Sequence, residues 1–295
     1  MGRTLERAPG VGLIYEPFNP GHRPGICRAV VPRWFTYVDA APPPGLARDL
    51  RRTLGFRYSH AAELRRMRSL RDAGRMGRDA ARFAAHRIRG ARPLMKDPIA
   101  VLAAPWLARE FGMQVVVMIR HPGAYAASMK RLGWTHDFSH LLDQPGLVDD
   151  LVPELRGDIE ESVRRPPDAV AGAALLWDVI YTVVDRYRSA HANWVFLRHE
   201  DVSLRPAAEF RALCKRLGLE YSAGVARFVE QTTAASNPAE AAEGVVHALR
   251  RNSAATVHTW HDRLTAGEIA RVRARTERTA RAFYMDSDWP QPDPV

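Results

Sequence analysis

A chain of 295 residues, 46% of them hydrophobic, is long enough for one large domain or two small ones and can bury a sizeable core. It has no apolar run of 18 residues, which argues against a helical membrane span, and its two cysteines, Cys27 and Cys214, are too few for a disulfide framework. The net charge of +10, from 43 Lys plus Arg against 33 Asp plus Glu, favours anionic ligands. The opening MGRTLERAPG carries no apolar leader, so the expected location is the cytoplasm.

In chain order, Thr4 to Ala8 reads as the end of a helix, stopped by Pro9-Gly10. Val11 to Tyr15 reads as a short strand running into Glu16-Pro17-Phe18-Asn19-Pro20, and a Gly/Pro-rich loop continues to Pro32. Helical pieces fill residues 45–90. Between Arg48 and Arg92 stand fourteen arginines, four acids and no lysine. Met67, Leu70, Gly74, Gly77, Ala81, Ala84 and Ile88 recur at spacings of three and four, which predicts a helix stripe with arginines on the other face. Such a face is either solvated or a polyanion surface, and no nucleic-acid module accompanies it.

Leu94-Met95 is a short strand ending in Lys96-Asp97-Pro98, and a helix is expected from Ile99 to Phe111. Val115 to Ile119 is unbroken apolar sequence, the pattern of a parallel strand buried on both faces. It runs into Arg120 and Pro122, and from Gly123 the period becomes helical. Strand, tight turn, helix is the arrangement in which open α/β sheets bind ligands, with Arg120 offering a planar fork to a phosphate and Ser128 a hydroxyl in the second helical turn. A strand-end arginine in an ordinary surface ion pair is the alternative. Residues 136–167 read as loop and short helix. Val170 to Tyr187 reads as a long core helix and Trp194 to Leu197 as another strand, ending in Arg198-His199-Glu200-Asp201. A helix follows from Arg205-Pro206 to Gly218, carrying Cys214 as a packed thiol beside Phe210, Leu213 and Leu217. Residues 232–260 look irregular around Arg250-Arg251-Asn252-Ser253, and a last helix spans Ile269 to Phe283. Strands alternating with helices predict one α/β domain over residues 1–295 with a parallel sheet and an arginine-rich helical insertion at about 45–92.

The order KDP, VVVMIRHPGAYAASM, VFLRHEDV, then RRNS followed by Trp260 and LTAGE resembles the PAPS-dependent sulfotransferases over about residues 4–285. PAPS is 3′-phosphoadenosine 5′-phosphosulfate, and the likeness is nearest to the bacterial and carbohydrate-sulfotransferase branches. The resemblance implies a three-layer α/β fold of P-loop NTPase type, a parallel sheet flanked by helices. It implies that Arg120 and Ser128 hold the 3′-phosphate and that Arg250, Arg251, Asn252 and Ser253 form a basic loop over it, without that loop's usual glycine. It also implies that His199 meets the adenine and that Lys96 meets the phosphosulfate end. The co-substrate would be PAPS, the product PAP, and no metal is called for.

Sulfuryl transfer needs a base at the acceptor hydroxyl. The histidine that follows the lysine in cytosolic members is absent here. Glu16, at the end of LIYE, matches the glutamate of the glycosaminoglycan sulfotransferases; Asp97 is the second candidate, and a carboxylate capping the EPFNP turn is the structural alternative. His22, His121 and His136 are lesser candidates, with His121 expected to serve local packing. The family's Gly-rich phosphosulfate loop and first strand have no counterpart in residues 1–10. The expectation is therefore a sulfotransferase impaired in this short form, acting on a hydroxyl-bearing acceptor such as an anionic glycan, or else a non-catalytic nucleotide- or polyanion-binding homologue. A nucleotide kinase is disfavoured, because G-x-x-x-x-G-K-[ST] occurs nowhere.

Overall fold

A computed structural model describes residues 1–39, 41–239 and 249–290. The fold is mixed α/β and mostly helical, with two separate two-stranded parallel sheets among the described residues. The chain divides into two compact units, the first made of Met1–Gln114 with Cys214–Ala226, the second of Val115–Leu213 with Arg227–Val295.

In the first unit, β1 (Val11–Tyr15) pairs in parallel with β2 (Arg92–Lys96), in register from Val11 opposite Arg92 to Tyr15 opposite Lys96. Parallel neighbours need a long crossover. Here it contains α1 (Leu46–Leu54), the single turn His60–Leu64 and α2 (Leu70–Ile88). Ser69 caps α2 by accepting the Asp72 amide at 3.2 Å. The core gathers Phe18, Cys27, Val31, Val38, Leu46, Leu50, Trp106 and Leu107, with a second cluster of Ile14, Ile26, Phe56 and Phe83.

Two expectations need correction in this unit. The stripe from Met67 to Ile88 faces solvent: Leu70 is 92% and Ile88 86% exposed, while α2 turns Phe83 and His86 inward. Four of the seven stripe positions are Gly or Ala and would bury little area, so the aromatic rings on the other face decide the orientation. The single helix expected over 99–111 is a 3₁₀ segment, Pro98–Ala103, followed by α3 (Ala104–Phe111). Pro105 lacks the N–H that would carry one α ladder across the junction.

In the second unit, β3 (Val116–Ile119) pairs in parallel with β4 (Val195–Arg198), in register from Val116 opposite Val195 to Ile119 opposite Arg198. The continuous apolar run does not bury both faces of β3 equally. Val117 and Ile119 are buried while Val116 and Met118 are partly open. The unit is built on α4 (Pro122–Leu132), α5 (Ala169–Ala190) and α7 (Ala266–Ala280), with the short α6 (His199–Leu204) leaving β4. Asp168 starts α5 by accepting the amides of Val170 and Ala171 at 2.9 and 2.8 Å. α5 is buried on most sides, from Val170 to Tyr187. Its one buried acid, Asp178, accepts the Thr279 hydroxyl at 2.5 Å and lies 3.6 Å from Arg275, both on α7. On the helix Pro206–Leu217, whose last four residues belong to the first unit, Cys214 is buried as a packed thiol should be, and so are Phe210, Leu213 and Leu217. No helix among the described residues is long and apolar enough to cross a membrane.

Two glycines give opposite expectations. A Cβ on Gly123 would meet the Trp260 ring at 2.4 Å, whereas one on Gly77 in α2 would meet nothing within 4 Å. In urea unfolding, Gly123→Ala should cost about 1–3 kcal/mol and Gly77→Ala should add about 0.5–1 kcal/mol. Equal effects of one sign would contradict this packing.

Candidate anion site and carboxylate pair

Arg120 follows β3, and two side-chain hydrogen bonds hold its backbone. The Trp177 indole donates to its carbonyl at 2.8 Å, and its amide donates to the Tyr181 hydroxyl at 3.1 Å. That hydroxyl in turn donates to the Met118 carbonyl at 3.2 Å. The amide of His121 donates to Glu200 at 3.0 Å, and the other Glu200 oxygen accepts the Tyr284 hydroxyl at 3.0 Å. Glu200 is only 7% exposed, so both of its oxygens are committed where desolvation makes such bonds count.

The side chain of Arg120 is treated differently. Its Nε is buried without a hydrogen-bond partner, and among the described residues its guanidinium makes no ion pair. Burial pushes its pKa down, Glu200 acts to raise it without touching it, and the positive charge of Arg263 acts to lower it. Arg198, one strand over at the end of β4, is instead paired with Asp288 at 2.6 Å and lies over the Tyr284 ring at 4.5 Å. Of two arginines at neighbouring strand ends, one has a carboxylate in contact and the other, among the described residues, has none. A buried cation without a partner is costly unless an anion completes it, and the guanidinium fork suits a phosphate or sulfate oxygen pair.

Ser128 lies on α4 eight residues after Arg120, partly buried, and its hydroxyl has no side-chain partner among the described residues. His199 opens α6. Burial and the Arg120 charge lower its pKa to about 4, so it is neutral at pH 7. Its Nδ1 lies 3.5 Å from the Ser203 hydroxyl. The Ser253 hydroxyl donates to the Ser203 carbonyl at 2.7 Å, tying the 250–253 loop to α6. Asn252 is occupied as a clamp, donating to the Ala235 carbonyl at 3.1 Å and accepting the Ala255 amide at 3.1 Å. Arg251 holds the loop through its backbone, its amide on the Thr232 carbonyl at 3.0 Å, and Arg250 is exposed. The loop thus joins the α6 end of this unit, with Asn252 and Ser253 as its anchors.

His121 serves packing. Its Nδ1 accepts the Gly123 amide at 3.1 Å, capping α4, and its ring stacks on Trp260 at 4.7 Å. Burial lowers its pKa to about 3. The His22 ring nitrogens lie against the carbonyls of Asn19 and Cys27, at 2.6 and 3.0 Å, so one of them donates there and the ring is held in the turn.

The remaining expected residues lie in the first unit, at the carboxyl ends of β1 and β2. Glu16 and Lys96 pair at 2.5 Å, and the Lys96 ammonium sits over the Tyr15 ring at 4.5 Å. Glu16 has φ +46, an uncommon conformation for a side chain of its size, and its second oxygen accepts the Asn19 amide group at 3.2 Å. It therefore caps the EPFNP turn and faces Lys96 at once. Asp97 accepts the amides of Phe18 at 2.6 Å and Ile99 at 3.0 Å. Burial pushes its pKa up to about 6, against the pull of those amides and with a smaller push from Glu16.

Trp177, Tyr181, Glu200 and Tyr284 build the Arg120 turn, yet the sequence reading gave none of them a site role. Trp177 and Tyr181 show there only as apolar positions of a core helix, and Glu200 only as part of RHED. Comparison of the chain with family models, curated proteins and solved structures finds no match.

A carboxyl with a raised folded-state pKa contributes stability that is complete below the ordinary carboxylate value and is lost as pH rises through its folded value. Asp97 should therefore titrate near 6 in carboxyl ¹³C NMR of the folded chain, with its resonance assigned by loss in Asp97→Asn. A midpoint near the unperturbed value of about 4 would contradict its burial.

Proposed function

We propose that the chain is a PAPS-dependent sulfotransferase of the three-layer, P-loop NTPase-like α/β type, with the 3′-phosphate of the nucleotide held at Arg120. One observation carries the reading: a guanidinium at the end of a parallel strand, before a helix, with buried Nε and no counter-charge among the described residues. A phosphate there would satisfy the cation and face the N-terminus of an eleven-residue helix. Ser128 would add a donor hydroxyl, and neutral His199 would offer a flat ring without adding charge. The 250–253 loop would place Arg250 and Arg251 on the α6 side of the nucleotide.

Bound PAPS supplies an activated sulfuryl group whose transfer leaves negative charge on PAP. The resemblance would give the proton of the acceptor hydroxyl to Glu16 and the charge left on the nucleotide to Lys96, both in the first unit. Asp97 is the alternative base, since burial holds it near 6, where it can both accept and release a proton.

One observation favours a second reading, a nucleotide-binding homologue without transfer activity. Glu16 and Lys96 neutralise one another at 2.5 Å, which leaves neither free for chemistry while the pair persists. The two readings share PAP binding and differ in turnover.

Calorimetric titration of the full chain with PAP should show saturable binding. Arg120→Ala should weaken it by about 2 kcal/mol, roughly 30-fold, and Arg120→Lys should recover part of the loss. Unchanged affinity in Arg120→Ala would remove the phosphate assignment. Transfer of labelled sulfate from PAPS to a phenol or oligosaccharide then separates the readings. Turnover that falls at least about 100-fold in Glu16→Gln, with PAP affinity kept, is expected of the enzyme. Turnover equal to wild type in that variant would transfer the base role to Asp97, and absence of turnover beside intact PAP binding would favour the second reading.

A further inference from the structure

The first unit contains a cleft of about 630 Å³ lined by Arg52, Phe56, Arg57, Tyr58, His60, Ala80, Ala84, Arg87 and Ile88. Arg52 comes from α1, Arg87 and Ile88 from α2, and the aromatic pair from the connection between them. The charge balance around it is uneven. The four acids between Arg48 and Arg92 are all taken by arginines outside the cleft: Asp49 by Arg48 at 3.4 Å, Glu63 by Arg23 at 2.7 Å, Asp72 by Arg75, and Asp79 by Arg23 and Arg82. Arg51, on α1 as Arg52 is, takes Glu110 at 2.6 Å. Arg52, Arg57 and Arg87 have no ion pair among the described residues. Three guanidinium groups thus share one concavity with no anion of the protein assigned to them.

Two buried polar atoms in the lining also lack partners, Arg52 Nε and the Tyr58 hydroxyl. Burial and then Glu63 push the Tyr58 pKa up to about 12, so it stays a neutral donor. The floor is rigid. Phe56 has φ +50, its ring lies 5.0 Å from that of His86 and 5.6 Å from that of Phe83, and a Cβ on Gly12 would meet its Cζ at 2.5 Å. The wall of Ala80, Ala84 and Ile88 is apolar, with Ala84 and Ile88 open to solvent. Cations, an unused hydroxyl donor and an apolar wall in one pre-organised cleft are the components of a site for an amphiphilic anion.

We propose that this cleft binds a sulfate or phosphate monoester carried on an apolar or ring-bearing group, with the oxyanion on Arg52, Arg57 and Arg87 and the body against Ala84 and Ile88. The proposal is independent of the Arg120 assignment and stands if that assignment fails.

Calorimetry of the full chain near physiological salt, with 1-naphthyl phosphate, 1-naphthyl sulfate, 1-naphthol and inorganic phosphate, tests it. The two esters should bind with one-to-one stoichiometry, at least about ten-fold more tightly than naphthol or inorganic phosphate, since each of those supplies only half of the contacts. Arg87→Gln and Arg52→Gln should each weaken the esters about ten-fold or more. Arg71→Gln, an exposed arginine of α2 outside the cleft, and Arg120→Ala should leave them within about two-fold. Absence of saturable ester binding, an Arg71→Gln effect as large as that of Arg87→Gln, or loss of binding in Arg120→Ala would each overturn the proposal.

Discussion

The backbone on either side of Arg120 is committed to hydrogen bonds, and the side chain between them is not. Trp177, Tyr181 and Glu200 hold the turn from β3 into α4. Each is itself fixed, the first two on the buried helix α5 and the third by Tyr284. A turn so constrained cannot relax to carry the guanidinium out into water at little cost. The protein therefore maintains a desolvated positive charge at a strand end, beside a neutral histidine and within the field of a second arginine. An unpaired buried charge of this kind is costly to the fold, and perturbed charges of this kind cluster at functional sites.

The first unit handles charge in two ways. At the ends of β1 and β2, Lys96 has its counter-charge in Glu16, and Asp97 is partly buried against backbone amides. On the α1–α2 side, acids are fewer than arginines and all are in use, so three cations remain around one cleft. Three of the arginines that give the chain its net charge of +10 thus line one cleft.

Strand and helix positions were largely legible in the sequence. Val11–Tyr15 is observed as read, and Val116–Ile119 starts one residue later than read. Apolar runs bounded by Gly and Pro carry that information locally. Burial direction was not legible on α2. A period of 3.6 identifies a helix, but Phe83 and His86 outweigh a stripe of glycines and alanines in choosing which side turns inward. The break at Pro105 follows from a missing donor that the apolar pattern conceals. Arg120 could be singled out because a strand end and a helix start flank it. Its lack of a counter-ion could not, since that depends on where Glu200 and Asp288 lie, residues 80 or more positions away in sequence. Likewise the Glu16–Lys96 pair joins the ends of two strands that only the parallel register brings side by side.

The proposed role of Arg120 as an anion's partner can be seen or refuted in one experiment. That experiment is a crystal structure of the chain grown with PAP. Phosphate oxygens of the nucleotide should lie about 2.8–3.0 Å from the Arg120 guanidinium, with the turn held by Trp177, Tyr181 and Glu200 unchanged. PAP bound elsewhere, or a guanidinium that has swung onto a protein carboxylate while the nucleotide is present, would contradict it.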